Sequence, residues 1–214
     1  MRVTSFVSYC AYPVSADEKY AANFVRSVKR RGGLCDRNTD AVEWFGKMSS
    51  IVISAKRLQG PLVVVPIPDS GCSVRSNCPP LTLALAEAVV THGKPATVVD
   101  ALRWIRPMKP SHSGGDRKPQ VLFDHLVLTC SLPQGSVVVV DDVVTTGGHV
   151  LAAAAALSTV RRHCSLALCL AKSSKTACQA FGISETFLSD FHPRESCLSS
   201  SKRIPTFEPI LSNS

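Results

Sequence analysis

Val137-Val138-Val139-Val140-Asp141-Asp142-Val143-Val144-Thr145-Thr146-Gly147-Gly148-His149 is the most informative stretch of this 214-residue chain. Four consecutive valines, β-branched and apolar, read as a strand buried on both faces, the condition of the central strands of a parallel sheet. Two carboxylates stand at its carboxyl end, and a Thr-Thr-Gly-Gly turn leads into a helix. Ligands of open α/β sheets bind at that edge. Glycine lets the backbone approach an anion, the unpaired N–H groups of a helix start point at it, and threonine hydroxyls add donors. Carboxylates beside a phosphate would repel it unless they have another task, such as accepting hydrogen bonds from sugar hydroxyls or helping to hold a metal. The ligand class that satisfies both halves of the stretch is a sugar phosphate.

The same alternation extends in both directions. Leu62-Val63-Val64-Val65, an apolar stretch from Leu81 to Val90, Ala96-Thr97-Val98-Val99, a helix-like Val150 to Val160 and Leu166-Ala167-Leu168-Cys169-Leu170 alternate strand and helix signals. The fold class predicted is α/β, a doubly wound parallel sheet. Upstream, Val3, Ser5 and Val7 read as a first strand. Residues 14–31 have helical spacing, with Tyr20, Phe24, Val25 and Val28 on one side, and end in Lys29-Arg30-Arg31-Gly32-Gly33, cations and a glycine stop at a helix C-terminus. A second helix is predicted from Asp40 to Val52, with Val42, Trp44 and Phe45 inward. The domain division is a small N-terminal strand and helical subdomain at 1–60, the core at 61–195 and a Ser- and Pro-rich flexible tail at 196–214. One long polar segment, Lys109 to Pro119, interrupts the core, and a loop of that length is either functional or disordered.

Composition bounds the function. Lys and Arg number 24 against 16 Asp and Glu, a formal charge of +8, while 45% hydrophobic and 19% charged residues exclude a disordered basic chain. The charge therefore sits on a folded surface, facing nucleic acid, acidic lipid or a ligand with several phosphates. Nine cysteines, an odd number with no C-x-x-C pair, argue against a zinc finger or a disulfide framework and for reduced thiols in a cytoplasmic protein. No apolar run is long enough to span a bilayer. The N-terminus reads as a strand rather than a signal peptide, because Ser8, Tyr12 and Pro13 interrupt the apolar region early.

The block from Val137 to His149 resembles the phosphoribosyl pyrophosphate (PRPP) motif of type I phosphoribosyltransferases, in which four apolar residues precede two acidic ones and a Thr/Gly phosphate loop. The resemblance implies that Asp141 and Asp142 bind the ribose 2′ and 3′ hydroxyls and that Thr145, Thr146, Gly147, Gly148 and His149 cradle the 5′-phosphate. His149 is a departure, since the family usually has Thr or Ser there. Upstream, Val64-Val65-Pro66-Ile67-Pro68-Asp69-Ser70-Gly71 resembles the pyrophosphate loop after the first core strand, closest to the Pro-Asp-Ser-Gly form of amidophosphoribosyltransferases. It implies pyrophosphate binding by Asp69, Ser70, Gly71 and the N–H groups that follow, with Arg75 as an added cation. The order of features is most similar to the ComF-like subgroup associated with competence, without the amino-terminal cysteine zinc finger often present there. Similarity covers residues 14–170 and is weak outside the two motifs.

The activity implied is Mg²⁺-dependent transfer of ribose 5-phosphate from PRPP to a nitrogen acceptor with release of pyrophosphate. Such a reaction passes through a transition state of oxocarbenium character, which needs a neutralised leaving group and negative potential near the sugar. Asp141 and Asp142 answer the second need and would hold Mg²⁺ indirectly. Lys109, Arg117 and Lys118 of the long loop are a candidate lid that completes the catalytic set, and Arg103 and Arg106 are further candidate phosphate contacts. An acidic residue that meets the base in purine-specific members is replaced by Thr145, so a nucleobase, ammonia or another amine all stay open as acceptors. His149 and His112 are candidate bases. A homodimer is an open option for partners, no membrane is expected, and nucleic acid is the weaker use of the charge. Two other readings remain: a non-catalytic PRPP or nucleotide sensor, and a DNA-associated competence factor.

Overall fold

The computed structural model describes residues 1–29, 40–76, 79–110, 114–174, 180–189 and 191–194. The glycine stop at Gly32-Gly33, Arg30, Arg31, His112 and the tail at 196–214 lie outside the described residues. In chain order the elements are β1 (Arg2–Tyr9), α1 (Ala16–Lys29), α2 (Ala41–Lys56), β2 (Leu62–Pro66), α3 (Thr82–His92), β3 (Ala96–Val98), β4 (Leu102–Trp104), α4 (Pro119–His125), β5 (Leu126–Leu128), β6 (Ser136–Val144), α5 (Gly148–Thr159), β7 (Cys164–Ser173) and β8 (Phe181–Phe187). Six strands form one sheet in the order β3-β2-β6-β7-β1-β8, and β4 pairs with β5 in a separate two-stranded sheet. Every neighbour pair of the large sheet is parallel except β1 with β8. The chain is a mixed α/β fold with a mostly parallel central sheet.

Valine runs produce this arrangement because both faces of the central strands are covered. Leu62 and Val64 of β2 and Val138 and Val140 of β6 face α1, α2 and α3, whereas Val63, Val65, Val137 and Val139 face α4 and α5. Each strand thus needs apolar side chains at consecutive positions rather than at alternate ones. Helix α5 meets the sheet through buried Ala152, Ala153, Ala155 and Ala156, small residues that leave room for a close approach.

Residues 1–60 contribute to this same core. β1 inserts between β7 and β8, and Phe6, Phe24 and Phe45 belong to one buried cluster with Val64, Val138 and Leu168. Edge-to-face aromatic contacts bind the cluster: Phe24 lies 5.2 Å from Trp44 at 90° and 5.3 Å from Phe181 at 83°. Helix α2 starts where Asp40 caps it, its Oδ1 accepting from the Val42 and Glu43 N–H groups at 2.8 and 3.3 Å. It runs to Lys56, beyond the expected Val52, and stops at Arg57 in the left-handed region at φ 50°.

Three further differences from the sequence reading concern length and insertion. β6 continues through Asp141 and Asp142 to Val144, because β7 is long enough to keep pairing with it: Asp141 is in register with Cys169 and Val144 with Lys172. The expected polar loop from Lys109 to Pro119 is flanked by elements not expected, β4 before it and α4 and β5 after it. β8, from a region with no expected structure, closes the sheet beyond β1.

Helices α2 and α3 touch at Gly46, where an added Cβ would stand 2.5 Å from the Ala88 carbonyl oxygen and 2.7 Å from His92 Cδ2. Gly46→Ala is expected to cost about 1–3 kcal/mol through overpacking, lowering the midpoint of thermal unfolding followed by circular dichroism. An unchanged midpoint would contradict the close helix contact.

Candidate functional site

The strand order reverses between β2 and β6. After β2 the chain leaves through α3 on one face towards β3, and after β6 it leaves through α5 on the opposite face towards β7. Adjacent strands whose helices depart to opposite sides leave a crevice at their carboxyl ends, the topological switch point where open α/β sheets bind ligands. The two segments singled out from the sequence, residues 66–71 and 141–149, are the two walls of that crevice. The Ile67 N–H donates to the Val140 carbonyl at 2.9 Å and ties them together at the base.

The first wall is braced by Asp69. Its Oδ1 accepts from the Gly71 N–H at 2.9 Å, and its Oδ2 accepts from the Leu81 N–H at 3.1 Å and from the Cys72 thiol at 3.3 Å. The Cys72 N–H donates to the Asp69 carbonyl and the Ser73 N–H to the Gly71 carbonyl, both at 3.0 Å. The N–H groups of Gly71, Cys72 and Ser73, beside the expected pyrophosphate contacts Asp69, Ser70 and Gly71, are thus engaged within the loop. Asp69 is the group that shapes the turn.

On the second wall Asp141 and Asp142 are half-buried and consecutive. The Asp142 N–H donates to Asp141 Oδ1 at 2.9 Å, and the Val143 N–H to Asp142 Oδ1 at 2.6 Å. Thr145 and Thr146 are exposed beyond them. Gly147 opens α5 in the left-handed region at φ 81°. Both glycines also have close neighbours within the protein. A Cβ on Gly147 would lie 2.4 Å from Leu188 Cδ1, and one on Gly148 would lie 2.1 Å from the Arg117 carbonyl oxygen. The left-handed backbone at Gly147 and the Arg117 carbonyl against Gly148 are what disfavour a side chain at the two positions.

His149 is largely buried, and Trp104 meets it edge-on at 5.9 Å and 76°. Burial pushes the His149 imidazole below the ordinary histidine range; Asp142 pulls the other way and the Arg117 guanidinium adds to the lowering. His149 is therefore a neutral packing partner near neutral pH. Trp104 is the residue that sequence reading missed. Its Nε1–H donates to the Asp69 carbonyl at 2.9 Å and to the Pro68 carbonyl at 3.2 Å, so one indole spans both walls of the crevice. A strand as short as Leu102–Trp104 has too few positions to show a period, which is why no pattern announces it.

The cations separate into different groups. The Arg117 backbone packs on Gly148, which brings that part of the candidate lid to the phosphate-loop wall. The Lys118 N–H donates to Asp116 Oδ1 at 2.7 Å just before α4, and Lys109 is exposed while its carbonyl lies under Gly115. Arg103 is paired with Asp100, whose hydrogen bond raises its pKa. Arg75 and Arg106 line a neighbouring groove. Beneath the carboxylates, burial and the nearby Asp141 and Asp142 charges push the Cys169 thiol well above its usual range, and burial pushes Cys164 up to about 12. Both are inert core groups.

Among the described residues no cluster of three or more His, Cys, Asp or Glu side chains could enclose a metal. Two adjacent carboxylates offer hard oxygen donors suited to a magnesium ion that takes most of its ligands from water and substrate.

Two outcomes follow. The His149 resonances should titrate below the free-histidine midpoint near 6.5, read by NMR. Because the folded-state value is depressed, its stability contribution is intact above the unfolded value and is lost as pH falls towards the folded one. Trp104→Phe keeps the bulk of the ring but removes the donor from two carbonyls. It should cost about 1–3 kcal/mol in denaturant unfolding, and a value near zero would show that the N–H bridge is unimportant.

No protein-family model matches the chain, and no curated protein sequence does. Among solved structures, a hypoxanthine phosphoribosyltransferase from Staphylococcus aureus is similar in two crystal forms. These are 10% and 11% identical, cover 65% of this chain and 68% and 69% of theirs, and have a TM-score of 0.37. A hypoxanthine-guanine phosphoribosyltransferase from Bacillus anthracis is 13% identical, with 65% of this chain and 75% of that chain covered and a TM-score of 0.36.

Proposed function

We propose that the chain is a phosphoribosyltransferase of the type I kind, ComF-like in its motif order, which uses PRPP and releases pyrophosphate. The observation that carries this reading is the pair of half-buried carboxylates, Asp141 and Asp142, at the end of β6 on the switch-point crevice, followed at once by Thr145, Thr146 and the Gly147 start of α5. Carboxylates alone would repel a phosphate, and a helix start alone would take any anion. Together they suit a ribose whose hydroxyls meet the carboxylates and whose phosphate meets the helix start.

In this reading Asp141 and Asp142 accept hydrogen bonds from the ribose hydroxyls and keep negative potential beside the developing cation. Thr145 and Thr146 donate to the 5′-phosphate. His149, neutral and packed on Trp104, positions the first turn of α5 in place of a hydroxyl donor. Arg117, beside the phosphate loop, and Lys109 and Lys118 on the same segment close over the leaving group and exclude water. A magnesium ion, held through water by Asp141 and Asp142, would neutralise the diphosphate when bound. The acceptor is a nitrogen nucleophile, either a nucleobase or an amine.

A second reading, a PRPP sensor without turnover, is favoured by one observation: the Gly71, Cys72 and Ser73 N–H groups are turned inward, away from any leaving group. The two readings part on product. Mg-PRPP at a hundredfold excess over its Kd should raise the unfolding temperature by about 5–10 °C, and Asp142→Asn should abolish the shift. Pyrophosphate release with one member of a panel of bases and amines supports the enzyme. Binding without release from any of them supports the sensor, and no shift at all with PRPP overturns both.

A further inference from the structure

The two edges of the large sheet are unlike. β3 ends one side and has three residues, whereas β8 ends the other with seven, Phe181–Phe187. Natural sheets guard a long edge with lysine, proline or a bulge. β8 contains neither lysine nor proline. Its one irregularity, a register shift between the partners of Ser5 and Val7, leaves Ser184 to Phe187 in regular antiparallel pairing with Ser5 to Arg2. The phase of that pairing is fixed at its end, where Met1 and Leu188 exchange both backbone bonds, each at 2.8 Å. Bonded and non-bonded pairs alternate along an antiparallel ladder. Thr186 is therefore turned towards Val3, while Glu185 and Phe187 turn their N–H and C=O groups outwards, onto the open edge.

The side chains of Glu185 and Phe187 share one face of the strand. Lys56 of α2 donates to Glu185 Oε1, and the Arg2 guanidinium lies over the Phe187 ring, 5.4 Å from its centroid. The ring itself is 70% exposed. Each chain thus offers a carboxylate and, two residues further on, an aromatic ring that carries a cation. A dyad through Thr186 brings these together. In an antiparallel pair of β8 strands, Glu185 then stands opposite the partner's Phe187, and Phe187 opposite the partner's Glu185. The outward groups exchange backbone bonds at both positions, and each Glu185 meets the Arg2 that covers the facing ring. Sliding one strand by two residues loses the match, because it sets Glu185 against Glu185 or moves Glu185 past the end of the partner's strand. The complementary occupant of this edge is a second copy of the chain.

We propose that the outer edge of β8 is a self-association surface, which joins two copies of this chain antiparallel about a dyad at Thr186 into one continuous sheet. It is independent of the activity argued for the crevice. So short a contact buries less than about 1,200 Å², the size of transient interfaces, so the dimer forms reversibly and weakens with salt. Sedimentation of the full chain should show a monomer–dimer equilibrium, and hydrogen exchange at the Glu185 and Phe187 amides should slow as concentration rises. Arg2→Glu and Glu185→Arg should each weaken association by about tenfold or more, because each sets like charges across the dyad. An equimolar mixture of the two variants should associate to within about threefold of the unaltered chain, since every contact then joins opposite charges. Intact circular dichroism spectra of both variants separate loss of association from loss of fold. A monomer at every concentration up to about 1 mM overturns the proposal. So does a dimer that neither variant weakens, or a mixture that associates no better than its components. Equal protection of the two amides at all concentrations would put another segment of the same chain on the edge, and overturns it as well.

Discussion

The pairing of β2 with β6 is the constraint on which the rest depends. Leu62 to Pro66 run in parallel register with Ser136 to Val140, and each strand is apolar on both sides, so neither can be left facing water. Helices must cover both faces, and the two strands send their own helices, α3 and α5, to opposite ones. The crevice is what remains where those departures diverge. Everything chemical in the molecule is arranged around that divergence, including Asp69 bracing one wall, the Asp141-Asp142 pair on the other and Trp104 between them.

Strands and helices long enough to carry a period were legible in advance. The four valines of β6, the run of β2 and the alanine-rich α5 announce themselves by burial on both faces or by helical spacing, and Gly147 and Gly148 stand out as a turn into a helix. What approaches them was not legible, because Leu188 and the Arg117 carbonyl come from far along the chain. The same holds for Asp69: a carboxylate in a Pro-Asp-Ser-Gly turn looks the same in sequence whether it faces a ligand or its own loop. Two of the short elements escaped, although β3, equally short, was legible from Ala96-Thr97-Val98-Val99. β4 and β5 have three residues each, too few for alternation to register, yet β4 delivers Trp104 to the centre of the site. The place of β1 between β7 and the edge strand β8 depends on which strands it meets, and no local pattern encodes that.

Charge is resolved in a similar way. An excess of eight positive charges could not by itself be assigned, but the fold sorts the cations by neighbour. Arg103 is consumed by Asp100, Lys56 by Glu185 and Lys47 by Glu43. The Arg117 carbonyl lies against Gly148, while Arg75 and Arg106 line one groove. The exposed Lys47–Glu43 pair contributes little to stability.

The inward-turned loop at Asp69 has a consequence for affinity. Its carboxylate occupies the very donors that an anion would use, at Gly71 and Leu81, so a ligand reaching for them enters by exchange rather than by addition. Any affinity gained at those two donors would be reduced by the cost of breaking the Asp69 bonds that now satisfy them.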